Sequence, residues 1–478
     1  MKKSILSISM FINIVLVQAQ LQNPDFEETE NNLPSGWNIK PNELYQTAIT
    51  TSTKYSGQNS LQINSNGNAS GNMQTFSQMV PIPGNGLRKV RLSSYIKSEN
   101  TAGKIALWAQ VKNGEKTTID FANSDTQDNK VIPNMEWKEY ALEFVLDDNA
   151  KNFLFGGFLS GNGNVWFDHI SMTEIPFSEK PSSEKALKYI DEFKNIVRKN
   201  SIFKDKIDWV TLDNNLSKMS KGMDTVEDTG PAIRYIMKAL KSAGDNHSFI
   251  DSKESVAKKN TSNPTAIEPE SRLLASNIGY IMVPAFSSLN KEVGGSFAQK
   301  IQGMIKKLDT ENMIKGWIVD LRTNTGGNMY PMIAGLGPLI GEGKLGYFTD
   351  GKKQSPWSYK KGKSGMITLQ NPYSIKQQNA KIAVLIGPMT ASSGEATTIS
   401  FIGKPNVKTF GQSSAGYTTA NQQFTLSDGR NLLLASSYEM DRNQKEYKDK
   451  IEPDVPVQPS DQKDIDQGIE AASQWIME

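Results

Sequence analysis

Thr390-Ala391-Ser392-Ser393-Gly394-Glu395 places two hydroxyls where a strand gives way to a helix. Upstream, Lys381 to Ile386 is a short, β-branched apolar run that reads as a buried strand, and Gly387-Pro388-Met389 break it. From Glu395 to Ile402 the apolar spacing suits a helix. A hydroxyl on such a turn can be exposed, and the first N–H groups of the helix, lacking intrahelical partners, can bind an anion. A serine nucleophile with an oxyanion hole needs that arrangement. The same residues also fit an ordinary helix cap, with Ser392 or Ser393 as the cap and Glu395 as its capping-box partner.

A serine nucleophile needs a base, and the chain holds only two histidines. His169 falls in the last strand of a β-rich first region, where it reads as a surface or structural residue. His247 follows Gly244-Asp245-Asn246, turn chemistry that leaves its ring at the mouth of a loop. A loop histidine bonded to backbone is the plainer alternative. The turn Thr325-Gly326-Gly327-Asn328 closes the buried strand Trp317 to Leu321, at the end where open α/β sheets bind ligands. Adjacent glycines let a backbone N–H approach a bound group closely, though they also suit a plain tight turn. No Gly-x-Gly-x-x-Gly and no Gly-Lys-Ser/Thr ending occurs, and there is neither cysteine nor a histidine pair. Phosphate cofactors and metals are therefore not expected.

Those residues need a scaffold, and 478 residues suffice for two or three domains. The net charge of +2 makes no electrostatic case for nucleic acid or an anionic membrane. Residues 1–19 read as a secretory signal: Lys2-Lys3, an apolar stretch from Ile5 to Val17, then Val17-Gln18-Ala19 for cleavage. That stretch is too short, and too polar at Asn13, to span a membrane, and no other comes near. Without cysteine there is no disulfide and no lipid-modified thiol. The expectation is an exported protein, periplasmic or extracellular, soluble once the signal is removed.

Residues 20–175 show short alternating segments, such as Lys89 to Ile96 and Ile105 to Val111, between Gly/Asn/Ser/Asp clusters, which predicts a β-sandwich. Residues 176–275 carry apolar residues at helical spacing, Ala186 to Val197 and Ile233 to Leu240, and read as a small helical subdomain. Residues 276–478 alternate strand and helix, which predicts α/β layers. A polar linker after Ile175 predicts that the rest folds without the β-domain.

Four motifs in order give residues 183–470 a family resemblance. They are Ile278-Gly279-Tyr280-Ile281, Val319-Asp320-Leu321-Arg322-Thr323-Asn324-Thr325-Gly326-Gly327, Thr390-Ala391-Ser392-Ser393-Gly394-Glu395 and Ile451-Glu452-Pro453-Asp454. Together they resemble the carboxy-terminal processing (tail-specific) serine peptidases. The resemblance implies a ClpP/crotonase-like core, a polypeptide substrate and no cofactor. It places the nucleophile at Ser392, with the N–H of Ser393 and of Gly326 or Gly327 as the oxyanion hole. The Ser–Lys branch carries a lysine base about two dozen residues past the serine. Here Ala415-Gly416-Tyr417 stand in its place. The tricorn-core branch uses a histidine in a Gly-x-x-His setting, which Gly244-Asp245-Asn246-His247 matches, so the resemblance implies His247 as base. Many members also insert a PDZ domain, for which Asp251 to Asn277 leaves no room. For that branch's late glutamate Glu446 is the nearest match, with Asp441 and Glu439 competing. Nucleophile and base would then come from different subdomains, whose closure would gate activity.

The first region is similar to galactose-binding-like jelly rolls of the carbohydrate-binding-module type. The carriers are Asn23-Pro24-Asp25-Phe26-Glu27, Pro34-Ser35-Gly36-Trp37, Tyr55 to Leu61, Trp137-Lys138-Glu139-Tyr140 and Val165 to Ile170. That likeness admits a glycan partner, with Trp37, Trp108 and Trp137 as stacking or core residues, and a structural calcium near Glu27 and Asp168. The reading is thus a secreted serine endopeptidase that works through a Ser–His acyl-enzyme. The alternative is a non-catalytic ligand- or glycan-binding protein on the same scaffold.

Overall fold

Along Arg88–Glu99 the side chains of Val90, Leu92, Ser94 and Ile96 are buried, while Arg91, Tyr95 and Lys97 stay partly exposed. This period of two makes a strand with one wet face. A computed structural model describes residues 21–126, 131–262, 267–460, 462 and 465–478, so the expected signal segment lies outside the described residues. Five antiparallel strands lie side by side in the order Lys138–Leu146, Arg88–Glu99, Asn164–Ile175, Ser60–Ser65 and Tyr45–Thr50. Five more run Asn38–Ile39, Met73–Pro81, Asn152–Ser160, Lys104–Lys112 and Thr118–Asn123. Leu92, Phe144 and Phe167 of the first sheet share one core with Phe76, Phe153 and Phe155 of the second.

Trp37 belongs to that core, with its ring centroid 5.3 Å from Phe76 and 5.7 Å from Phe155, so it is no stacking residue. Glu27 and Asp168 do not face one open cation site. Glu27 accepts the N–H groups of Gln58 and Asn59, and Asp168 those of Tyr55, Ser56 and His169.

The chain divides into two compact units. One gathers residues up to Lys194 with Ile207–Ala243, and the other Asn195–Lys206 with Gly244–Glu478. The helices Trp209–Met219 and Gly230–Ser242 thus group with the β-sheets and not, as the chain order suggests, with the α/β part. The cause is charge as well as apolar contact. Lys238, 3% exposed, pairs with Asp147 at 2.7 Å, and the Arg234 guanidinium lies 3.5 Å from Asp120 and donates to the Glu143 carbonyl. An apolar stripe in a sequence shows that a helix is covered but not what covers it. Removing residues 21–175 would leave Lys238 a buried cation without its partner.

In the second unit a six-stranded sheet runs Glu270–Leu274, Ile278–Met282, Gly316–Asp320, Lys381–Ile386, Val407–Gly411 and Val455–Pro456. All neighbours are parallel except the first pair. Trp317 and Val319 face the helices Lys291–Glu311 and Met329–Ile340, while Ile318 faces Gln467–Met477. Covering on both faces explains why these strands are continuous apolar runs. A second sheet gathers around Asn431–Asp441, which pairs with Phe249–Asp251, Gly343–Thr349, Thr419–Thr425 and Glu446–Tyr447. No helix among the described residues is long and apolar enough to cross a membrane.

Candidate active site

Parallel pairing of Gly316–Asp320 with Lys381–Ile386 sets their carboxyl ends side by side, so the Gly-Gly turn and the serine turn become neighbours. Thr390 pins the second to the first, its hydroxyl donating to the Leu321 carbonyl at 2.9 Å. The Ala391 N–H donates to the Asn324 carbonyl at 3.0 Å. Ser392 then takes φ 53° and ψ −120°, a conformation L-residues rarely hold, just before the helix Ser393–Ile399. Such strain persists only where the surroundings over-determine it, and it presents a side chain outward at the turn.

The glycine turn is equally fixed. Asn324, wholly buried, donates to the carbonyls of Val283 and Pro284 and accepts the Gly326 N–H at 2.9 Å. Gly326 and Gly327 have φ of 100° and 111°, which a side chain would resist. The Ser393 hydroxyl donates to the Gly327 carbonyl at 2.7 Å, binding the two turns together. The Gly326 N–H is thus spent on Asn324. Those of Gly327 and Ser393 have no protein partner among the described residues.

Below the serine lies Glu395, which sequence reasoning treated only as a capping residue. Its carboxylate accepts the N–H groups of Ser392, Gly416 and Tyr417 at 2.7, 2.9 and 2.9 Å and the Ser414 hydroxyl at 2.5 Å. Burial raises its pKa, while these donors hold it down. Glu439, wholly buried beside that charge, is raised well above the ordinary carboxylate value. Glu395 fastens the 414–417 loop to the serine turn.

His247 packs against the end of that loop. The ring lies 5.4 Å from the Tyr417 ring, and Nδ1 is 2.8 Å from the Thr419 hydroxyl. The backbone is held as well, with the His247 N–H on Asp245 and its carbonyl accepting from Asn421. Burial lowers the imidazole pKa, and the nearby Asp245 charge only partly opposes it. A Thr419 hydroxyl that accepts Nδ1–H leaves the lone pair on Nε2, the tautomer a general base needs.

Three expectations change here. His247 and Ser392 belong to one compact unit, so they do not sit on separate subdomains whose closure gates the site. The orienting group on the imidazole is a neutral hydroxyl, Thr419, and not a carboxylate. Glu446 pairs with Lys448 at 2.9 Å, Asp441 accepts the N–H groups of Asn443 and Lys445, and Glu439 is buried beside Glu395. A hydroxyl orients without adding charge, which agrees with an imidazole that stays easy to deprotonate. Glu446→Gln should accordingly keep turnover within about threefold of wild type, as a surface substitution away from the chemistry does; a hundredfold loss in kcat would restore its role. Of the lysines, Lys404 donates to the Leu339 carbonyl at 2.7 Å and is lowered to about 8 by burial and by Arg442. Lys408 lies over Trp475. Thr419 had no sequence signal except its place two residues after Tyr417, which stands where a lysine was sought.

Residues 277–457 match the profile of peptidase family S41. Nisin-resistance protein of Lactococcus lactis subsp. lactis is 33% identical over 296 residues, 61% of this chain and 87% of that protein. A solved lipoprotein from Streptococcus agalactiae is similar over 62% of this chain and 97% of its own, with 28% identity and a TM-score of 0.51. The photosystem II D1 C-terminal processing protease aligns over 61% of this chain and 97% of its own, at 14% identity and a TM-score of 0.44.

Proposed function

Because this chain belongs to peptidase family S41, we propose that it is a serine endopeptidase with Ser392 as nucleophile and His247 as base. The observation that carries the reading is the backbone of Ser392, held at φ 53° between a fixed glycine turn and a buried carboxylate. A helix cap needs no such strain. Nε2 of His247 takes the hydroxyl proton as Ser392 Oγ bonds to the scissile carbonyl carbon. The N–H groups of Ser393 and Gly327 stabilise the oxyanion, Gly326 being occupied by Asn324. The imidazolium then returns its proton to the leaving amine, and the C–N bond breaks to give the acyl-enzyme. Water, deprotonated by the same nitrogen, releases the acid and restores Ser392. We place the protein outside the cytoplasm, on the strength of the Lys2-Lys3, apolar, Val17-Gln18-Ala19 pattern at its start.

Labelling by a fluorophosphonate probe tests the assignment. Ser392→Ala should abolish it. Ser393→Ala should keep most of it, because that hydroxyl is engaged as a donor to Gly327 and not presented to substrate. Undiminished labelling of Ser392→Ala would refute the nucleophile. Casein peptides and nisin, the compound in a relative's name, are the first substrates to assay.

A further inference from the structure

From Gly343 to Gly394 the chain has eight lysines and a single acidic residue, Asp350, an excess that the net charge of +2 conceals. Lys344, Lys360, Lys361 and Lys363 gather where the paired strands Gly343–Thr349 and Gln354–Tyr359 lead into a small hairpin, Lys363–Ser364 with Ile367–Thr368. Lys360 stands directly opposite Lys363, their backbones bonded to each other at 3.0 and 2.9 Å. Like charges so placed oppose folding. In the turn between them Lys361 has φ 47° and Gly362 78°, where Asn-Gly is the favoured pair. Met366, at the tip of the next turn, is 73% exposed. Each choice works against stability, and residues that break local rules together mark a functional site.

We infer that this meander docks the protein onto an anionic phospholipid bilayer, with Met366 entering the headgroup layer and Lys344, Lys360, Lys361 and Lys363 meeting lipid phosphates. Its inner side is fixed to the fold. Tyr359, Ser364 and Ile367 are buried, and Ile367 packs with Ala298, Ala334 and Leu369. Gly365 lies so close to Tyr330 that a Cβ there would stand 2.6 Å from the ring. The alternation leaves Lys360, Lys363 and Thr368 exposed on the outer side. Among the described residues none of these lysine ammonium groups pairs with a carboxylate. The acid beside them, Glu342, accepts the Lys361 backbone N–H at 2.9 Å. The charge is therefore free to meet a partner outside the protein.

The form of the face selects a bilayer over other polyanions. An acidic peptide needs a groove or an open strand edge, and strands of two residues are too short for strand addition. A single-stranded nucleic acid stacks its bases on exposed rings, whereas Trp357 and Tyr359 are buried. A bilayer needs neither groove nor ring. Its anionic headgroups attract clustered lysines, whose stems snorkel while an apolar side chain among them reaches the acyl boundary. A lone exposed methionine is ordinary, but one at a turn tip between unpaired lysines has the chemistry of that boundary.

The test is vesicle co-sedimentation of the chain without its expected signal, residues 1–19, so that the apolar leader adds nothing. It reads binding alone and is independent of the peptidase reading. Vesicles of equal parts phosphatidylglycerol and phosphatidylcholine should carry the protein down at low salt, and pure phosphatidylcholine should not. In about 1 M salt, where the Debye length falls to about 3 Å, the protein should be released. Combining Lys360→Gln, Lys361→Gln and Lys363→Gln should lower the partition coefficient about a hundredfold, about fivefold for each charge removed. Met366→Asp should lower it about tenfold. Lys361→Asn separates docking from folding, since it relieves the turn: melting temperature should rise while vesicle binding falls. Equal binding to both kinds of vesicle, pelleting that survives the triple replacement, or capture of a polyglutamate peptide in place of vesicles would overturn the proposal.

Discussion

If His247 is the base proposed, His247→Ala should lower kcat by about three to four orders of magnitude, the loss that follows removal of a triad base. Folding is nearly unchanged, because the loop is held by backbone bonds to Asp245 and Asn421 that the substitution keeps. The pH profile carries a second signature. The base works only when neutral, so activity rises as pH rises through the imidazole pKa. Burial sets that pKa below the ordinary value of about 6.5, so the rise comes on the acid side of it and the rate is level by neutral pH. Thr419→Val removes the hydroxyl that meets Nδ1 and should cost less than loss of the ring itself. Lys404→Ala and Lys408→Ala should leave the pH profile unmoved. Near-wild-type turnover in His247→Ala, on any substrate the protein cleaves, would refute the base.

Gly326→Ala is the second large effect. At φ 100° a methyl there would stand 2.8 Å from the Ala391 carbonyl oxygen, 2.8 Å from Ser392 Cβ and 3.0 Å from the Ser393 nitrogen. None of these is the far end of a flexible side chain. The clash and the unfavourable backbone together should destabilise the fold by about 2–4 kcal/mol. Displacing the serine turn by even a fraction of an ångström should slow fluorophosphonate labelling about a hundredfold or more in the folded fraction. Melting temperature and labelling rate, measured together, separate the two effects. A variant that melts early yet labels at the wild-type rate would show that this glycine supports the fold and not the chemistry.

Much of the candidate site was legible because its signals are local. The strand break before Thr390-Ala391-Ser392, the paired glycines after a buried strand and a single unassigned histidine each follow from residue type and near neighbours. What lay out of reach depends on partners distant in sequence. Glu395 does cap the serine turn, as its spacing suggests, but only the fold closes residues 414–417 over it. Glu446 was the nearest match to the family's late glutamate, yet it pairs with Lys448 while Thr419 meets the imidazole.

The same division runs through the whole chain. Alternation with a period of two, apolar runs and turn residues determine by themselves a β-rich first part and an α/β second part, since burial of one face or both is written into each segment. The tertiary structure alone decides which body the helix Gly230–Ser242 covers, because Lys238 and Arg234 choose Asp147 and Asp120 across long stretches of chain. It alone decides which of two glycine N–H groups is open, because Asn324 claims one of them. It also separates Trp37, sealed in the core, from Trp137, half-buried beside Tyr55. A sequence states what each residue can do, and packing determines which neighbour it does it with.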